Sequence, residues 1–276
     1  MAFKNLGKRV AVAVVGGPLI VLAVWYGGYA FFALVAGITL LATYEFLKLL
    51  QKKDSHPPAV WIYPHSLWFL YAIFSQRYVL AAGGGLLFVV GLLAIEVFRR
   101  ENNAVRNASG GLLAFFYLTV LYAFMLAIRQ LPLMLDQPYR AGGEWVLLVL
   151  LAIWACDTAA YFVGSRFGRH KLAPRVSPNK TVEGALGGVL GAVLTAWLCQ
   201  AWFAHSLSVP SAWIIGGLVG VFGQLSDLVE SLFKRDAGVK DTSSILPGHG
   251  GILDRFDSPL LAMPAVFVYL LWLFHS

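Results

Sequence analysis

Long apolar runs follow one another along the chain and are separated by short segments of charged and turn-forming residues. A helix needs about 20 apolar residues to cross a bilayer, and charges or turn residues mark where a crossing ends. Nine runs are predicted as membrane spans: Val10–Tyr26, Tyr29–Leu47, Ala59–Phe74, Tyr78–Phe98, Gly110–Ile128, Trp145–Val163, Val182–Ala204, Trp213–Phe233 and Pro259–Phe274. The third run is the weakest, because Pro64 and His65 interrupt it. The pattern predicts an all-α polytopic membrane protein.

The composition supports this prediction. Hydrophobic residues make up 59% of the 276 residues and charged residues 13%, whereas a soluble domain carries about 25% charged residues. A soluble globular enzyme is therefore excluded, and the connections are too short for a separate soluble domain. Any chemistry must be carried by side chains on the helices or in the loops. An ionisable residue inside a span is a functional candidate by default, because burying it there is costly.

The distribution of Lys and Arg predicts the orientation, because short cytoplasmic loops collect basic residues. With nine spans, all of the 21 Lys and Arg residues except Arg77, Arg129 and Arg140 fall on one side of the membrane. We therefore expect the N-terminus and the loops at 164–181 and 234–257 to face the cytoplasm, and the C-terminus to face the opposite side. The expected location is a bacterial cytoplasmic (inner) membrane.

The net charge of +7 indicates an anionic partner. A basic chain can bind nucleic acid, but the sequence contains no soluble module in which aromatic and basic residues alternate. We therefore expect no nucleic acid as a partner. Anionic lipid or a phosphorylated substrate explains the charge better.

The charge pattern also divides the chain into residues 1–144, with five spans, and residues 145–276, with four. Acids are sparse in the first part and lie near span ends, as is typical of solvated helix ends and snorkelling pairs. These acids are Glu45, Asp54, Glu96, Glu101, Asp136 and Glu144. We therefore expect the catalytic residues in the second part. The Gly-rich spans allow close helix packing and a homodimer.

Three acids lie inside apolar runs of the second part, namely Asp157, Asp227 and Glu230. Each costs about 2.5–3.5 kcal/mol at mid-span on insertion scales, and less near a span end. Glu230 can reach Lys234 one helical turn further on and be neutralised by it. Asp157 and Asp227 have no basic partner in their own helices, so we expect a metal ion or a polar cavity beside them.

The basic loop, residues 164–181, contains five Lys or Arg residues and no acid. Positive-inside bias alone would explain the charge. The Gly and Pro residues nevertheless predict defined turns, and Ser177 followed by Pro is a suitable N-cap for the next helix. Lys180 and Thr181 would then lie in the first turn, where free backbone N–H groups can bind phosphate oxygens. With Lys171, they are candidate anion-binding residues.

The polar loop, residues 234–257, joins the last two predicted spans and contains charges of both signs. Its carboxylates can bind a divalent cation, its Lys and Arg residues can bind phosphates, and its paired glycines permit close backbone approach. Mg²⁺ usually takes one or two carboxylates and completes its octahedron with water and substrate phosphates. Asp227 and Asp254 are therefore candidate ligands of one Mg²⁺.

The polar loop resembles the signature of the phosphatidate cytidylyltransferase family, also called CDP-diacylglycerol synthases. The matching pattern is Ser231-x-Phe-Lys234-Arg235-x4-Lys240-Asp241-x-Ser243-x2-Leu246-Pro247-x-His249-Gly250-Gly251-Ile252-x-Asp254-Arg255-Phe256-Asp257. Upstream, Asp157-Thr-Ala-Ala-Tyr161-x-x-Gly164 and Ser177-Pro178-Asn-Lys180-Thr181-x-Glu183-Gly184 are similar to the pattern of the same family. Asn179 departs from the family, which often has Lys at that position. The first part resembles the family in hydropathy only.

The resemblance implies a reaction in which the phosphate of phosphatidic acid attacks the α-phosphorus of CTP and releases pyrophosphate. It implies that Asp227 and Asp254 hold a catalytic Mg²⁺, with room for a second cation such as K⁺. Lys234, Arg235 and Lys240 would bind the triphosphate. The other residues that it implies at the substrate sites are Asp157, Lys171, Ser177, Lys180, Thr181, Asp241, His249, Gly250, Gly251, Arg255 and Asp257.

Two other functions fit part of the pattern. A CTP-dependent membrane lipid kinase would need similar residues but would transfer the γ-phosphoryl group. An ion-coupled transporter could use Asp157, Asp227 and Glu230 as an ion path. The absence of matching broken helices in the two halves of the sequence argues against the transporter.

Overall fold

The computed structural model describes residues 6–99, 103–245 and 250–275, most of which are helical. The helices are α1 (Leu6–Tyr26), α2 (Gly28–Gln51), α3 (Ala59–Phe74), α4 (Tyr78–Phe98), α5 (Ala104–Ala114), α6 (Leu121–Gln130), α7 (Tyr139–Phe167), α8 (Val182–Trp202), α9 (Val209–Asp236), α10 (Leu253–Phe256) and α11 (Pro259–His275). A π-helical turn, Phe115–Val120, joins α5 to α6, and a 3-10 turn, Leu131–Met134, follows α6. Strands β1 (Lys171–Ala173) and β2 (Ser177–Thr181) form an antiparallel hairpin.

Seven helical stretches in the described part of the chain are long and apolar enough to cross a membrane. They are Gly28–Gln51, Tyr78–Phe98, Ala104–Met134, Tyr139–Phe167, Val182–Trp202, Val209–Asp236 and Leu253–Phe274. The first and third predicted spans correspond to the shorter apolar helices Val14–Tyr26 and Ala59–Phe74. The prediction of an all-α polytopic membrane protein is confirmed. The count of nine spans and the cytoplasmic N-terminus stay predictions.

The chain forms two compact units. The first comprises Met1–Ala127 together with Asp236–Phe256, and the second comprises Ile128–Arg235 together with Asp257–Ser276. Most of the polar loop therefore belongs to the first unit. The functional division predicted at residue 144 stays a prediction.

The first unit is built around α2, whose buried face includes Phe31, Val35 and Phe46. Helix α3 packs against α2 and α4, and Phe88 of α4 stacks on Phe115 of the π-helical turn with ring centroids 4.0 Å apart. The short helix α10 also packs against α2. The end of the polar loop is thus held against a membrane-type helix from the first part of the chain.

In the second unit, small residues let α7, α8 and α9 approach one another closely. A Cβ added to Gly184 of α8 would lie 2.9 Å from the carbonyl oxygen of Ala160 on α7. A Cβ added to Gly220 of α9 would lie 2.7 Å from the Cα of Val189 on α8. This packing through small residues is typical of membrane helices, and it brings the polar residues near the ends of the three helices together.

The start of α8 differs from the sequence-based prediction. Ser177 was expected to cap the helix, but Ser177–Thr181 is strand β2. Thr181 is the N-cap instead, and its Oγ1 accepts a hydrogen bond from the backbone N–H of Gly184 over 3.1 Å. The prediction was wrong because hairpin pairing satisfies the backbone of this segment, and strands this short leave little trace in the hydrophobic pattern. Lys180 therefore precedes the helix.

Candidate active site

The second unit contains a cavity of about 460 Å³ formed by α7, α8, α9 and the hairpin. Its lining residues are Asp157, Ala160, Tyr161, Gly164, Ser165, Leu172, Asn179, Lys180, Thr181, Gly184, Ala185, Gln224 and Asp227. The structure thus brings together three residues predicted at the substrate sites, Asp157, Lys180 and Thr181, and the predicted metal ligand Asp227. A cavity therefore lies beside Asp157 and Asp227, although much of its surface is apolar.

Asp227 and Lys180 form an ion pair in this cavity. Lys180 Nζ donates to Asp227 Oδ2 over 2.6 Å, and Ser231 Oγ donates to Asp227 Oδ1 over 3.3 Å. The side chains of Lys180 and Asp227 are 26% and 29% exposed, so a solute can reach them. The sequence pattern does not indicate this pair, because Lys180 lies on β2, 47 residues before Asp227.

Asp257 belongs to the same electrostatic environment in the second unit. It interacts coulombically with Asp227, Asp157 and Lys234. The backbone carbonyl of Asp257 accepts a hydrogen bond from Ser226 Oγ over 2.6 Å, which fixes the start of α11 against α9. The carboxylates of Asp157, Asp227 and Asp257 therefore share one electrostatic environment with Lys234, and Asp227 is also paired with Lys180.

Lys234 and Arg235 are adjacent at the end of α9 but have different environments. Lys234 is buried and forms an ion pair with Glu230, which is buried as well. The predicted pairing of these two residues is confirmed. Arg235 is exposed, and its Nε donates to the carbonyl oxygen of Val176 over 3.3 Å. Arg235 is therefore accessible to a dissolved nucleotide, whereas Lys234 is enclosed.

The hairpin of the basic loop is held against α8 by Glu183. This carboxylate accepts hydrogen bonds from the backbone N–H groups of Arg169 (3.0 Å) and His170 (3.2 Å), and lies 2.6 Å from His170 Nδ1. Lys171 on β1 is exposed, and Ser177 on β2 is half-buried. The loop is thus a fixed structure rather than a loose basic connection.

In the first unit, Asp254 at the start of α10 is held by the polar loop itself. Its Oδ2 accepts hydrogen bonds from the Thr242 N–H (3.0 Å), Thr242 Oγ1 (2.8 Å) and the Gly251 N–H (2.7 Å). Gly250 has φ 85°, and a Cβ there would lie 2.8 Å from Asp254 Oδ2. Glycine is therefore required at 250 for both conformation and space. The close backbone approach predicted for Gly250 and Gly251 is thus present at Gly250, and the group approached is the Asp254 carboxylate.

The expectation that the acids of residues 1–144 lie at solvated helix ends or in snorkelling pairs is wrong for Glu45. Glu45 is completely buried and contacts the polar loop. Glu96 and Glu144 are also buried, and each forms an ion pair with a nearby Arg. The sequence held a signal for Glu45, since it lies inside the predicted span Tyr29–Leu47. An acid in a span should have been a candidate there as elsewhere.

The remaining predicted substrate-site residues belong to the polar loop. Lys240, Asp241 and Arg255 are exposed, and Gly251 is buried. His249 lies outside the described residues. The exposed charges are accessible to a polar ligand, and their predicted roles stay predictions.

The predicted metal ligands are divided between the units, with Asp254 in the first and Asp227 in the second. Among the residues that the structure describes, no three His, Cys, Asp or Glu side chains are grouped closely enough to hold a metal ion by themselves. Mg²⁺ does not need such a group, because it usually keeps several waters and binds substrate phosphates. The donor chemistry therefore fits Mg²⁺, and the shared Mg²⁺ site stays a prediction.

Comparison with known proteins defines the class of this protein. The model of the cytidylyltransferase family matches residues 7–273, nearly the whole chain. The chain belongs to this family.

Relatives with an established name make the similarity more specific. The phosphatidate cytidylyltransferase of Bacillus subtilis (strain 168) is 34% identical over 278 residues, which cover 98% of this chain and 99% of the relative. Proteins of the same name from Staphylococcus saprophyticus and Staphylococcus epidermidis are 36% and 45% identical over 180 and 130 residues. Those alignments cover 65% and 50% of the relatives. The resemblance seen in the polar loop is thereby confirmed at the level of the family.

Proposed function

We propose that this protein transfers a cytidylyl group from CTP to phosphatidate, forming CDP-diacylglycerol and pyrophosphate for phospholipid synthesis. The observation that carries the proposal is the similarity to phosphatidate cytidylyltransferase from Bacillus subtilis, which extends over 98% of this chain. The paired acids and lysines of the second unit support it, because both substrates are phosphates.

The chemistry needs positioning and charge neutralisation more than proton transfer. A phosphate oxygen of phosphatidate attacks the α-phosphorus of CTP, and the bond from this phosphorus to the oxygen that bridges to the β-phosphorus breaks. Pyrophosphate leaves with that electron pair. The nucleophile is already an anion, so no general base is required, and fixed positive charge supplies much of the barrier reduction.

Asp227 and Asp254 are the proposed Mg²⁺ ligands. Bound Mg²⁺ would neutralise phosphate charge and orient the triphosphate. Lys180 and Asp227 form an ion pair over 2.6 Å. Once a phosphate and a cation enter, Lys180 can bind the former and Asp227 the latter. A second cation such as K⁺ would be bound by the remaining acids.

The basic residues divide into two proposed roles. Arg235, Lys240 and Lys171 are exposed and can attract and bind the triphosphate of CTP. Lys234 is buried beside Glu230 and raises the local positive potential from within the protein. Asp157 and Thr181, which line the cavity, complete the polar wall against which a phosphate group is positioned.

The proposed location is the bacterial cytoplasmic membrane, with the basic and polar loops on the cytoplasmic side, where CTP is present. The strong Lys and Arg asymmetry supports this orientation. The bilayer supplies phosphatidate directly to the membrane-embedded helices. A homodimer is part of the proposal, and cross-linking in native membranes would test it.

The proposed reaction can be tested with purified protein in mixed micelles containing phosphatidate. CTP labelled at the α-phosphorus should yield labelled lipid, and CTP labelled at the γ-phosphorus should yield labelled pyrophosphate. Label from the γ-phosphorus in the lipid would indicate the lipid kinase instead. No turnover with either label, together with ion-dependent uptake in vesicles, would favour the transporter.

A further inference from the structure

Glu45 on α2 is a carboxylate that the reaction chemistry does not explain. It is 0% exposed and accepts four hydrogen bonds from the polar loop. Oε1 accepts from Ser243 Oγ (2.5 Å) and the Ile252 N–H (2.9 Å), and Oε2 accepts from Thr242 Oγ1 (3.1 Å) and the Leu253 N–H (2.8 Å). Burying a carboxylate is costly unless such charge-assisted hydrogen bonds satisfy it. Here both oxygens are satisfied by the loop.

The four donors come from the two ends of one segment, residues 242–253. Thr242 and Ser243 stand at its beginning, whereas Ile252 and Leu253 stand at its end. Glu45, on a helix about 200 residues earlier in the chain, therefore binds both ends of this segment. A second, exposed contact joins the chain just after α2 to the beginning of the polar loop: Lys53 Nζ lies 3.2 Å from Asp236 Oδ1.

The same contacts link Glu45 to Asp254. Thr242 Oγ1 lies 3.1 Å from Glu45 Oε2 and 2.8 Å from Asp254 Oδ2, so the two carboxylates share the single proton of one hydroxyl. Glu45 also binds the N–H of Leu253, the residue immediately before Asp254. A shift of the Glu45 carboxylate would therefore move both the backbone of Asp254 and a hydrogen-bond donor to its side chain.

We propose that Glu45 is a positioning residue for the reaction: it holds Thr242 and Ser243 together with Ile252 and Leu253, and thereby orients the Asp254 carboxylate. This inference rests on the proposed role of Asp254 in binding Mg²⁺. It gives the first part of the chain a role in catalysis that its hydropathy does not indicate.

The arrangement requires a carboxylate rather than an isosteric amide. A glutamate presents two acceptor oxygens to four donors. Gln would present one oxygen and one NH₂ group. The NH₂ group would face a hydroxyl, which can turn and accept, and a backbone N–H, which cannot. Glu45→Gln keeps the volume of the side chain but leaves the N–H of Ile252 or Leu253 without an acceptor. It should loosen this contact, because buried donors without partners are costly.

The experiment measures kinetics and loop accessibility in Glu45→Gln, with Glu96→Gln as the matched control. Glu96 is also a buried carboxylate of the first unit, but its hydrogen bonds go to Arg99 and Asn107. Accessibility is measured as the rate of maleimide labelling of Ile245→Cys, at an exposed position, after replacement of the buried Cys156 and Cys199 by Ala.

In Glu45→Gln, kcat per folded molecule should fall about 10–100-fold, the loss typical of residues that orient a metal ligand. The KM for CTP should change much less, higher Mg²⁺ should partly restore the rate, and labelling at position 245 should be faster. Glu96→Gln should retain the wild-type kcat and labelling rate. Wild-type kinetics in Glu45→Gln, or a loss of folded protein alone with an unchanged kcat and labelling rate, would overturn the inference.

Two further variants keep the test decisive. Asp254→Asn is measured in parallel: if it retains activity, the proposed site fails, whereas an inactive Asp254→Asn beside a fully active Glu45→Gln refutes only the role of Glu45. If Glu45→Gln does not fold, Ser243→Ala removes one of the four donors. It should then show a smaller decrease in kcat with faster labelling, and wild-type values for both would contradict the proposal.

Discussion

Asp227 and Asp254, the two acids proposed to bind Mg²⁺, are held in different ways. Asp227 is paired with Lys180 at a cavity that solutes can enter. Asp254 has one oxygen, Oδ2, that accepts three hydrogen bonds from Thr242 and Gly251. The consequence is that Asn at either position should leave the fold intact but disturb metal binding.

We predict that Asp227→Asn and Asp254→Asn each lower kcat by at least about 100-fold, because a catalytic metal contributes several kcal/mol of charge stabilisation. In Asp254→Asn the amide oxygen can keep the three hydrogen bonds of Oδ2, while the side chain loses the negative charge that would attract the metal ion. CDP-lipid formation at saturating Mg²⁺ is the measurement. Asp236→Asn is the control, since Asp236 is an exposed acid that pairs with Lys53. Substantial turnover in either variant would remove that residue from the metal site.

At the residue scale, chemical roles were predicted only for acids that belong to the signature or lie inside the apolar runs of the second part. Asp157 and Asp227 were found in this way, and the cavity beside them is present. Glu45 is predicted among the acids near span ends because it lies near the end of its apolar run. Its burial depends on the polar loop about 200 residues later, and hydropathy contains no information about such a contact.

The C-terminal end of α9 shows how one helix gives adjacent residues different roles. Successive residues of an α-helix are 100° apart, since 3.6 residues complete a turn. Lys234 is therefore on the buried side with Glu230, whereas Arg235 faces the exterior. The predicted triphosphate-binding role suits Arg235 better by accessibility.

We predict that Arg235→Ala raises the KM for CTP about 10–100-fold, because a hydrogen bond to a charged group contributes about 1.5–3 kcal/mol. Lys234→Ala should instead lower the free energy of unfolding by about 3–5 kcal/mol, because it leaves the Glu230 carboxylate buried without its ion-pair partner. CTP and phosphatidate titrations and thermal unfolding in detergent separate the two effects. Unchanged CTP kinetics in Arg235→Ala with reduced thermal stability would identify Arg235 as an interfacial anchor.

At the element scale, the apolar pattern predicted helices well and short polar structure poorly. Each predicted span corresponds to a helix, because membrane burial and helical hydrogen bonding impose one rule over about 20 residues. The hairpin at 171–181 and the N-cap at Thr181 were missed. Their conformation is decided by pairing between strands and by the contacts of Glu183 with the backbone of residues 169 and 170.

At the scale of the whole molecule, the asymmetry of Lys and Arg is the observation that relates the chain to the membrane. It favours a single orientation for both the basic loop and the polar loop, although they contribute to different compact units. A cytidylyltransferase needs that orientation, since CTP is a highly charged solute that does not cross the bilayer. The same asymmetry predicts that the turn after α6, where Arg129 and Arg140 lie on either side, faces the opposite compartment.

We therefore predict that single cysteines at Arg169 and Ile245 are protected in intact cells from an impermeant maleimide, and that a cysteine at Asp136 is labelled. All three positions are exposed on the protein, so protection would report the membrane side rather than burial. The background replaces Cys156 and Cys199, which are both buried. Permeabilised cells are the control, and all three positions should be labelled in them. External labelling at 169 or 245 in sealed cells would reverse the proposed orientation, because the positive-inside rule would then fail for the loops that hold most of the basic residues of the second half.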